Sequence, residues 1–160
     1  VRFDLEQIVR KHGDMVLRLA VSQVGNRADA EDVFQEVFIR LVRSMDKIQD
    51  EDHLRNWLIR VTINRSRSVF SSAPRKRELP VEELPETVVE SFDTAAPTPA
   101  TDAMQRLPEK YRVPLHMFYF EELPISDIAR ILESSEGTVK SQLSRGRQML
   151  RESLGEMSYV

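Results

Sequence analysis

One stretch limits what this 160-residue chain can fold into more than any other: LPISDIARILESSEGTVKSQLSRGRQML, residues 123–150. Its spacing predicts two short helices joined by a tight turn. The first covers roughly residues 125–132, with Ile128, Ala129, Ile131 and Leu132 as its apolar face. Pro124 fixes its start, because a proline in the first helical turn gives up no hydrogen bond. Residues 133–135 form the turn, after which Ser134 or Ser135 can cap a second helix whose first turn carries Glu136, where the macrodipole favours an acid. On that helix Val139, Leu143 and Leu150 face inward. Between residues 138 and 151 every charged side chain is basic: Lys140, Arg145, Arg147 and Arg151. A helix pair of this kind has the layout of a helix-turn-helix, whose second helix enters the major groove of DNA. A plain helical hairpin with a solvated basic face has the same pattern, and these residues alone leave both readings open.

The rest of the chain is helical by the same criterion. Leu5, Ile8, Val9, His12, Met15, Val16, Leu19 and Ala20 fall at i, i+3, i+4, i+7 spacing, and Gly25-Asn26 makes a sound stop. A second helix is expected from residues 28–32 to about Met45, with Asp29, Glu31 and Asp32 at its start and Ala30, Val33, Phe34, Val37, Leu41 and Met45 inward. A third is expected over about residues 53–70, with Leu54, Trp57, Leu58, Val61 and Val69 as its core stripe. Its other side carries Arg55, Asn56, Arg60, Asn64, Arg65 and Arg67. No acid lies between Asp52 and Glu78, a span holding seven basic residues once Arg75, Lys76 and Arg77 are included. That span is a second candidate nucleic-acid surface, and a solvated face followed by a basic loop reads the same way.

From about residue 71 to 101 the helical pattern collapses. Pro80, Pro85, Pro97 and Pro99 break helices, and an acidic composition rich in Ala, Thr and Pro predicts an extended, flexible linker, with a short helix around residues 88–92. A second domain opens near Asp102 with a short helix to Arg106. Pro108 then starts another helix, to about Glu121, which Pro114 should kink or shorten. Leu115, Phe118 and Tyr119 are expected to pack against the helix pair described first. No strand pattern emerges, so the fold class is all-α: two small helical domains, 1–72 and 102–160, joined by a flexible acidic linker, 73–101, with a helix-turn-helix in the second.

Net charge is −3, an unpromising value for a nucleic-acid binder until it is divided along the chain. Residues 1–78 hold 15 basic and 12 acidic side chains, residues 79–102 six acids and no Lys or Arg, and residues 103–160 eight of each. The acidity is thus concentrated in the linker, and local basic surface governs phosphate contact. No apolar run approaches the roughly 20 residues of a membrane span. A start charged at Arg2, Asp4 and Glu6 predicts no signal peptide. The absence of cysteine removes disulfides and thiol chemistry and fits a reducing cytoplasm. His12, His53 and His116 share no metal-ligand spacing. Asp29, Asp32 and Glu36 share a helix face but have no second carboxylate helix, so they read as a protein-docking face or as helix capping, not as a metal site. No nucleophile has a base partner, no glycine-rich phosphate loop occurs, and no cofactor, metal or enzymatic activity is expected.

Three blocks resemble one family. NRADAEDVFQEVFIRLVRSM, residues 26–45, is similar to the core-binding helix of bacterial sigma factors of the extracytoplasmic-function group. RNWLIRVTINRSRS, residues 55–68, resembles that family's promoter-melting helix, and residues 107–150 resemble its C-terminal promoter-reading domain. The blocks stand in family order and span nearly the whole chain outside the linker. The resemblance implies a protein that binds RNA polymerase core and directs initiation by recognising −35 and −10 promoter elements and helping to melt DNA. By position it assigns Asp29, Asp32, Gln35, Glu36 and Phe38 to core-polymerase binding. It assigns Arg55, Asn56, Arg60, Asn64 and Arg67 to the −10 element, with residues 47–52 as the loop that captures a flipped base. Thr138, Lys140, Ser141, Ser144, Arg145 and Arg147 fall to the −35 element, Arg147 as a phosphate contact or an ion-pair partner. Trp57 reads as core that positions Arg60 and Asn64.

The resemblance further implies an anti-sigma partner, often membrane-anchored, with no membrane insertion by this chain itself, and a linker that threads polymerase channels or merely tethers. Gln142 and Ser68 depart from the family's frequent Arg and acid, and Ser144 replaces a bulkier residue, which bears on promoter preference. The competing reading is a stand-alone helix-turn-helix regulator with an N-terminal dimerisation or sensing domain.

Overall fold

The computed structural model describes residues 4–72 and 99–157. The expected linker lies outside the described residues except at 99–101, as do the helix expected at 88–92 and the basic run Arg75–Arg77. The described residues are helical, without strands, and fall into two compact units.

The first unit is built on α1 (Leu5–Val24), α2 (Arg27–Ser44), a 3-10 turn (Met45–Lys47) and α3 (Glu51–Ser72). Each boundary has a local chemical cause. Asp4 accepts from the Glu6 amide at the start of α1, and Gly25, in the left-handed region at φ 82°, ends it by donating to Val21. Only glycine takes that conformation without strain. Asn26 opens α2 by accepting from the Asp29 amide at 2.8 Å, while its own amide donates to the Asp29 carboxylate at 2.9 Å. Asp50 opens α3: its carboxylate accepts from the His53 amide at 2.7 Å, and His53 Nδ1 accepts in turn from the Gln49 amide at 3.1 Å. The bonds from the Glu6, Asp29 and His53 amides each satisfy a donor that a helix start leaves without a partner.

The three helices pack on one another pairwise around Ile8, Val16, Leu19, Val33, Val37, Leu41, Leu54, Leu58, Ile59 and Ile63. Several inward assignments change. Leu5 is exposed, since it begins α1 beyond its neighbours. Phe34 and Met45 are only half-buried; Phe38 is buried in their place, its ring 4.7 Å from that of Phe34. Phe34 lies over Gly13, where a Cβ would sit 3.5 Å from its ring. On α3, Trp57 and Val61 are half-buried while Ile59, Thr62, Ile63 and Ser66 face the core. His12, 8% exposed, approaches Glu51 Oε2 at 3.3 Å, and Lys11 reaches the same oxygen at 3.3 Å, tying α1 to the start of α3. Burial raises the Glu51 carboxyl, but the hydrogen bonds and charges of His12 and Lys11 outweigh it and hold the group below its ordinary value.

The second unit comprises α4 (Pro99–Arg106), α5 (Glu109–Tyr119), α6 (Ile125–Leu132) and α7 (Glu136–Met157), with α7 packed against α4 and α5. Pro108 precedes α5, and Pro114 is accommodated inside it among buried neighbours. Arg112, almost fully buried, donates to the Leu107 carbonyl at 2.9 Å and so fixes the bend between α4 and α5. Desolvation lowers its pKa against the opposing effect of Glu109. At the end of α5 the buried His116 and Glu121 side chains pair at 2.8 Å, and the imidazole stacks on Phe120 at 5.1 Å. Val113, Leu115 and Met117 carry this helix's core, while Phe118 is half-buried and Tyr119 half-exposed.

Candidate nucleic-acid interface

The turn between α6 and α7 is closed by the backbone. Ser134 N donates to Ala129 O at 2.9 Å and Glu133 N to Arg130 O at 3.3 Å, with Glu133 left-handed at φ 55°. These two bonds make a Schellman stop, here without the glycine that is commonest at its left-handed position. Ser135 then caps α7, its hydroxyl accepting from the Thr138 amide at 3.1 Å and lying 2.8 Å from the Thr138 hydroxyl. Of the two serines that could have served, Ser135 is the cap.

The buried residues of α7 are Val139, Leu143 and Gly146. At 100° per residue, Ser141 and Ser144 stand on the opposite, exposed face with Lys140 and Arg145 flanking them. Lys140 and Arg145 have no ion-pair partner among the described residues. Arg147 differs: it is half-buried and donates to the Tyr119 hydroxyl at 3.2 Å, so it is committed to neither a phosphate nor an ion pair in this conformation. Leu150 is half-buried. Gly146 carries no signal in the sequence that would single it out. A Cβ there would lie 2.7 Å from Leu115 Cδ1, so the absence of a side chain lets α7 sit directly on α5.

On α3, Asn56, Arg60, Asn64 and Arg67 occupy the side away from Leu54, Leu58 and Thr62 and share one outward face with His53 and the half-buried Trp57. Arg67 reaches Asn64 Oδ1 at 3.5 Å. Arg55 does not belong to that face. It lies partly buried towards the core side at the helix start and donates to Asn56 Oδ1 at 3.4 Å. The connection before α3 is anchored at both ends, by the buried Ile48 and by the Asp50–His53 cap, and leaves Lys47, Gln49 and Asp50 exposed.

The five residues assigned by resemblance to a protein-docking face on α2 divide. Asp32 and Gln35 are exposed and Glu36 half-buried, bonded to Arg40 at 3.2 Å. Asp29 is 5% exposed and engaged with Asn26, and Phe38 is 7% exposed in the core. These two hold the helix rather than offer side chains to a partner. Ile39 and Val42, not singled out in the sequence, are 47% and 54% exposed and continue the Asp32–Gln35 stripe at helical spacing. His12, His53 and His116 each have a protein partner. No group of three metal-ligating side chains occurs among the described residues.

The geometry defines an all-helical protein with a helix-turn-helix unit and a second helical unit that presents a polar, basic helix face. Comparison with known proteins narrows this. The family described as Sigma-70 region 2 matches residues 8–75, and that described as Sigma-70, region 4 matches residues 99–150. The ECF RNA polymerase sigma factor SigE of Mycolicibacterium smegmatis is 34% identical over 163 residues, covering 96% of this chain; the chain spans 62% of that relative's length. SigW of Bacillus subtilis, also an ECF RNA polymerase sigma factor, is 30% identical over 167 residues, covering 94% of this chain and 88% of its own. Among solved structures, the sigma factor RpoE in complex with the anti-sigma factor NepR from Bartonella quintana superposes with a TM-score of 0.74 at 20% identity, over 94% of this chain and 96% of that one. CnrH in complex with the cytosolic domain of CnrY gives 0.71 at 19% identity, over 95% and 88%. The chain belongs to the ECF sigma factors of RNA polymerase, a family of transcription initiation factors. Because both halves match in family order, a stand-alone helix-turn-helix regulator is not favoured.

Proposed function

We propose that this chain acts by binding alone, dividing promoter recognition between residues 1–72 and 102–160, with 73–101 as the tether. In this reading α7 selects the −35 element through Lys140, Ser141, Ser144 and Arg145, with Thr138 at its capped start. Long basic side chains read guanine edges, and hydroxyls with helix-start amides hold phosphates. The outward face of α3, Asn56, Arg60, Asn64 and Arg67, takes the −10 region as it opens. The anchored connection at 47–52 supplies a rigid rim for an unstacked base, whose extrusion costs a few kcal/mol.

Core polymerase docks on α2 through Asp32, Gln35 and Glu36. We add Ile39 and Val42 to this face and assign Asp29 and Phe38 to support beneath it. Arg55 and Arg147 act on neighbouring side chains and not on DNA directly. The observation that supports the reading is that Asp32 and Gln35 on α2, Arg60, Asn64 and Arg67 on α3, and Lys140, Ser141, Ser144 and Arg145 on α7 lie outward on helices whose opposite sides form the cores, while Asp29, Phe38 and Arg55 do not.

The protein works in the cytoplasm, where core polymerase is found; no helix among the described residues is long and apolar enough to cross a membrane. Two structural neighbours were solved with an anti-sigma factor or with the cytosolic domain of a partner. By that likeness an anti-sigma protein, anchored in the membrane, restrains this chain by covering its polymerase-binding faces. Run-off transcription with purified core on cognate and scrambled promoters tests the function. Initiation at the cognate site only is expected, and equal inactivity on every host promoter with the chain folded and core-bound overturns it. For the restraint, the co-expressed neighbouring protein should suppress that transcription, and a neighbour that binds without suppressing it is excluded from the role.

A further inference from the structure

The second unit contains an open cleft of about 650 Å³ between the start of α5 and the start of α7. Lys110 and Tyr111 form its α5 wall; Ser135, Gly137, Thr138, Ser141, Gln142 and Arg145 form the other. No carboxylate is among these eight residues. Lys110 is exposed, has no ion-pair partner among the described residues, and lies 5.0 Å from the centre of the Tyr111 ring. Arg145, also without an ion-pair partner, faces it from α7. Two cations and four hydroxyl-bearing residues around a space open to solvent, with no carboxylate among them, fit an anionic occupant.

We infer that this cleft seats a backbone phosphate of the DNA that α7 reads, with Lys110 of α5 as its principal cation. The inference rests on the promoter-binding reading above and extends it to a helix outside the helix-turn-helix. The cleft opens beside Ser141 and Arg145, so a duplex laid against the exposed face of α7 brings one strand past its mouth. Cations that hold phosphate carry no sequence information but fix register. The ammonium above Tyr111 is steadied by the face of the ring, so its position costs less side-chain freedom than an unsupported lysine would lose. Arg145 then has one side towards the phosphate and the other towards base edges, which couples register to readout.

Each phosphate neutralised contributes about 0.9 to the slope of log affinity against log salt. The test uses core polymerase reconstituted with the full chain and labelled promoter duplexes, one cognate and one with a scrambled −35 element, titrated between low and moderate salt. Lys110→Gln is expected to weaken both duplexes to a similar degree and to lower the slope by about 0.9, so that a fourfold rise in salt costs about 3.5-fold less affinity than in the unsubstituted protein. Lys110→Arg should restore the slope. An unchanged slope in Lys110→Gln, with −35-dependent binding intact in the unsubstituted protein, overturns the inference and leaves the promoter reading standing. Loss of −35 dependence in the unsubstituted protein would instead overturn that reading and this inference with it. A mononucleotide that binds the full chain and fails to bind Lys110→Gln would show that the cleft serves a small ligand, which also overturns it.

Discussion

Replacing Gly146 with alanine tests how α7 is seated. A Cβ at that position would stand 2.7 Å from Leu115 Cδ1, 3.2 Å from Leu115 Cγ and 3.3 Å from Tyr111 Cβ. Leu115 is fully buried, and Tyr111 Cβ moves only with its backbone, so the methyl cannot be absorbed by one rotamer change. Overpacking of this kind costs about 1–3 kcal/mol, whereas Gly to Ala inside a helix gains about 1 kcal/mol. The expected net loss is therefore about 0–2 kcal/mol. Gly137 supplies the control, because its Cβ would meet only Ser135 Oγ, at 3.9 Å. Gly137→Ala should stabilise by up to about 1 kcal/mol. The gap between the two variants, about 1–3 kcal/mol, isolates the clash, since the intrinsic helix term largely cancels. Urea unfolding of the full chain is followed by far-UV circular dichroism and by fluorescence of Trp57, the only tryptophan. Because Trp57 belongs to the first unit, its transition should stay in place while the second unit's midpoint falls. Leu115→Ala should make the Gly146 substitution cheaper, a coupling of at least about 0.5 kcal/mol. If Gly146→Ala stabilises as much as Gly137→Ala, or if Leu115→Ala leaves its cost unchanged, the close approach of α5 and α7 is not what that glycine permits.

Three other outcomes follow from named contacts. Ile39→Asp with Val42→Asp should abolish co-purification with core polymerase while shifting stability by no more than about 0.5 kcal/mol per site; Phe38→Ala should instead cost about 3–5 kcal/mol in the Trp57 unfolding transition. Asn26→Ala removes the cap of α2 and should cost about 0.5–2 kcal/mol by the same measurement. Glu51 has a folded pKa below its ordinary value of about 4.3, so the stability it contributes is present above that value and is lost as pH falls through the folded pKa. Glu51→Gln should accordingly flatten the acid limb of the first unit's stability profile below about pH 4.3.

Helix ends were legible because caps are local chemistry. Gly25 and Pro124 act on residues within four positions, so the string alone places them, whereas it left Ser134 and Ser135 as equal candidates and showed Asn26 only as a stop, not as the cap that opens α2. Faces were less legible, because the side that is buried depends on neighbours distant in sequence. On α2 the spacing allows Phe34 or Phe38 to point inward, and α1 decides by offering Gly13 as a seat for part of Phe34 while Phe38 fills the core. On α3, Trp57 and Val61 were equally good periodic choices, but the pairing with both α1 and α2 turns Ile59 and Ile63 inward. Asp29 shows the opposite failure. Its charge suggested a docking side chain, but the Asn26 amide claims it. The signal for Gly146 was absent altogether, since a glycine inside a helical pattern announces only a cost until its neighbour Leu115 is known.

Around the start of α7, the split between paired and unpaired cations is more informative than net charge. Arg10, Lys11 and Arg40 meet carboxylates at 2.8, 3.3 and 3.2 Å, and Arg112 is buried against a carbonyl. Lys110, Lys140 and Arg145 cluster around the exposed start of α7 with no ion pair among the described residues. An ion pair facing solvent adds little stability, so leaving these three unpaired costs the fold almost nothing. It also removes a competitor that incoming phosphates would otherwise have to displace. The unit that holds them carries as many acids as bases overall, yet its acids pair or lie elsewhere: Glu121 is buried on His116, and none lines the cleft. A neutral domain can therefore present a locally cationic face. On the proposed reading, a limited number of phosphate contacts predicts weak, salt-sensitive DNA binding by the isolated chain, with core polymerase needed to hold the DNA at the same time.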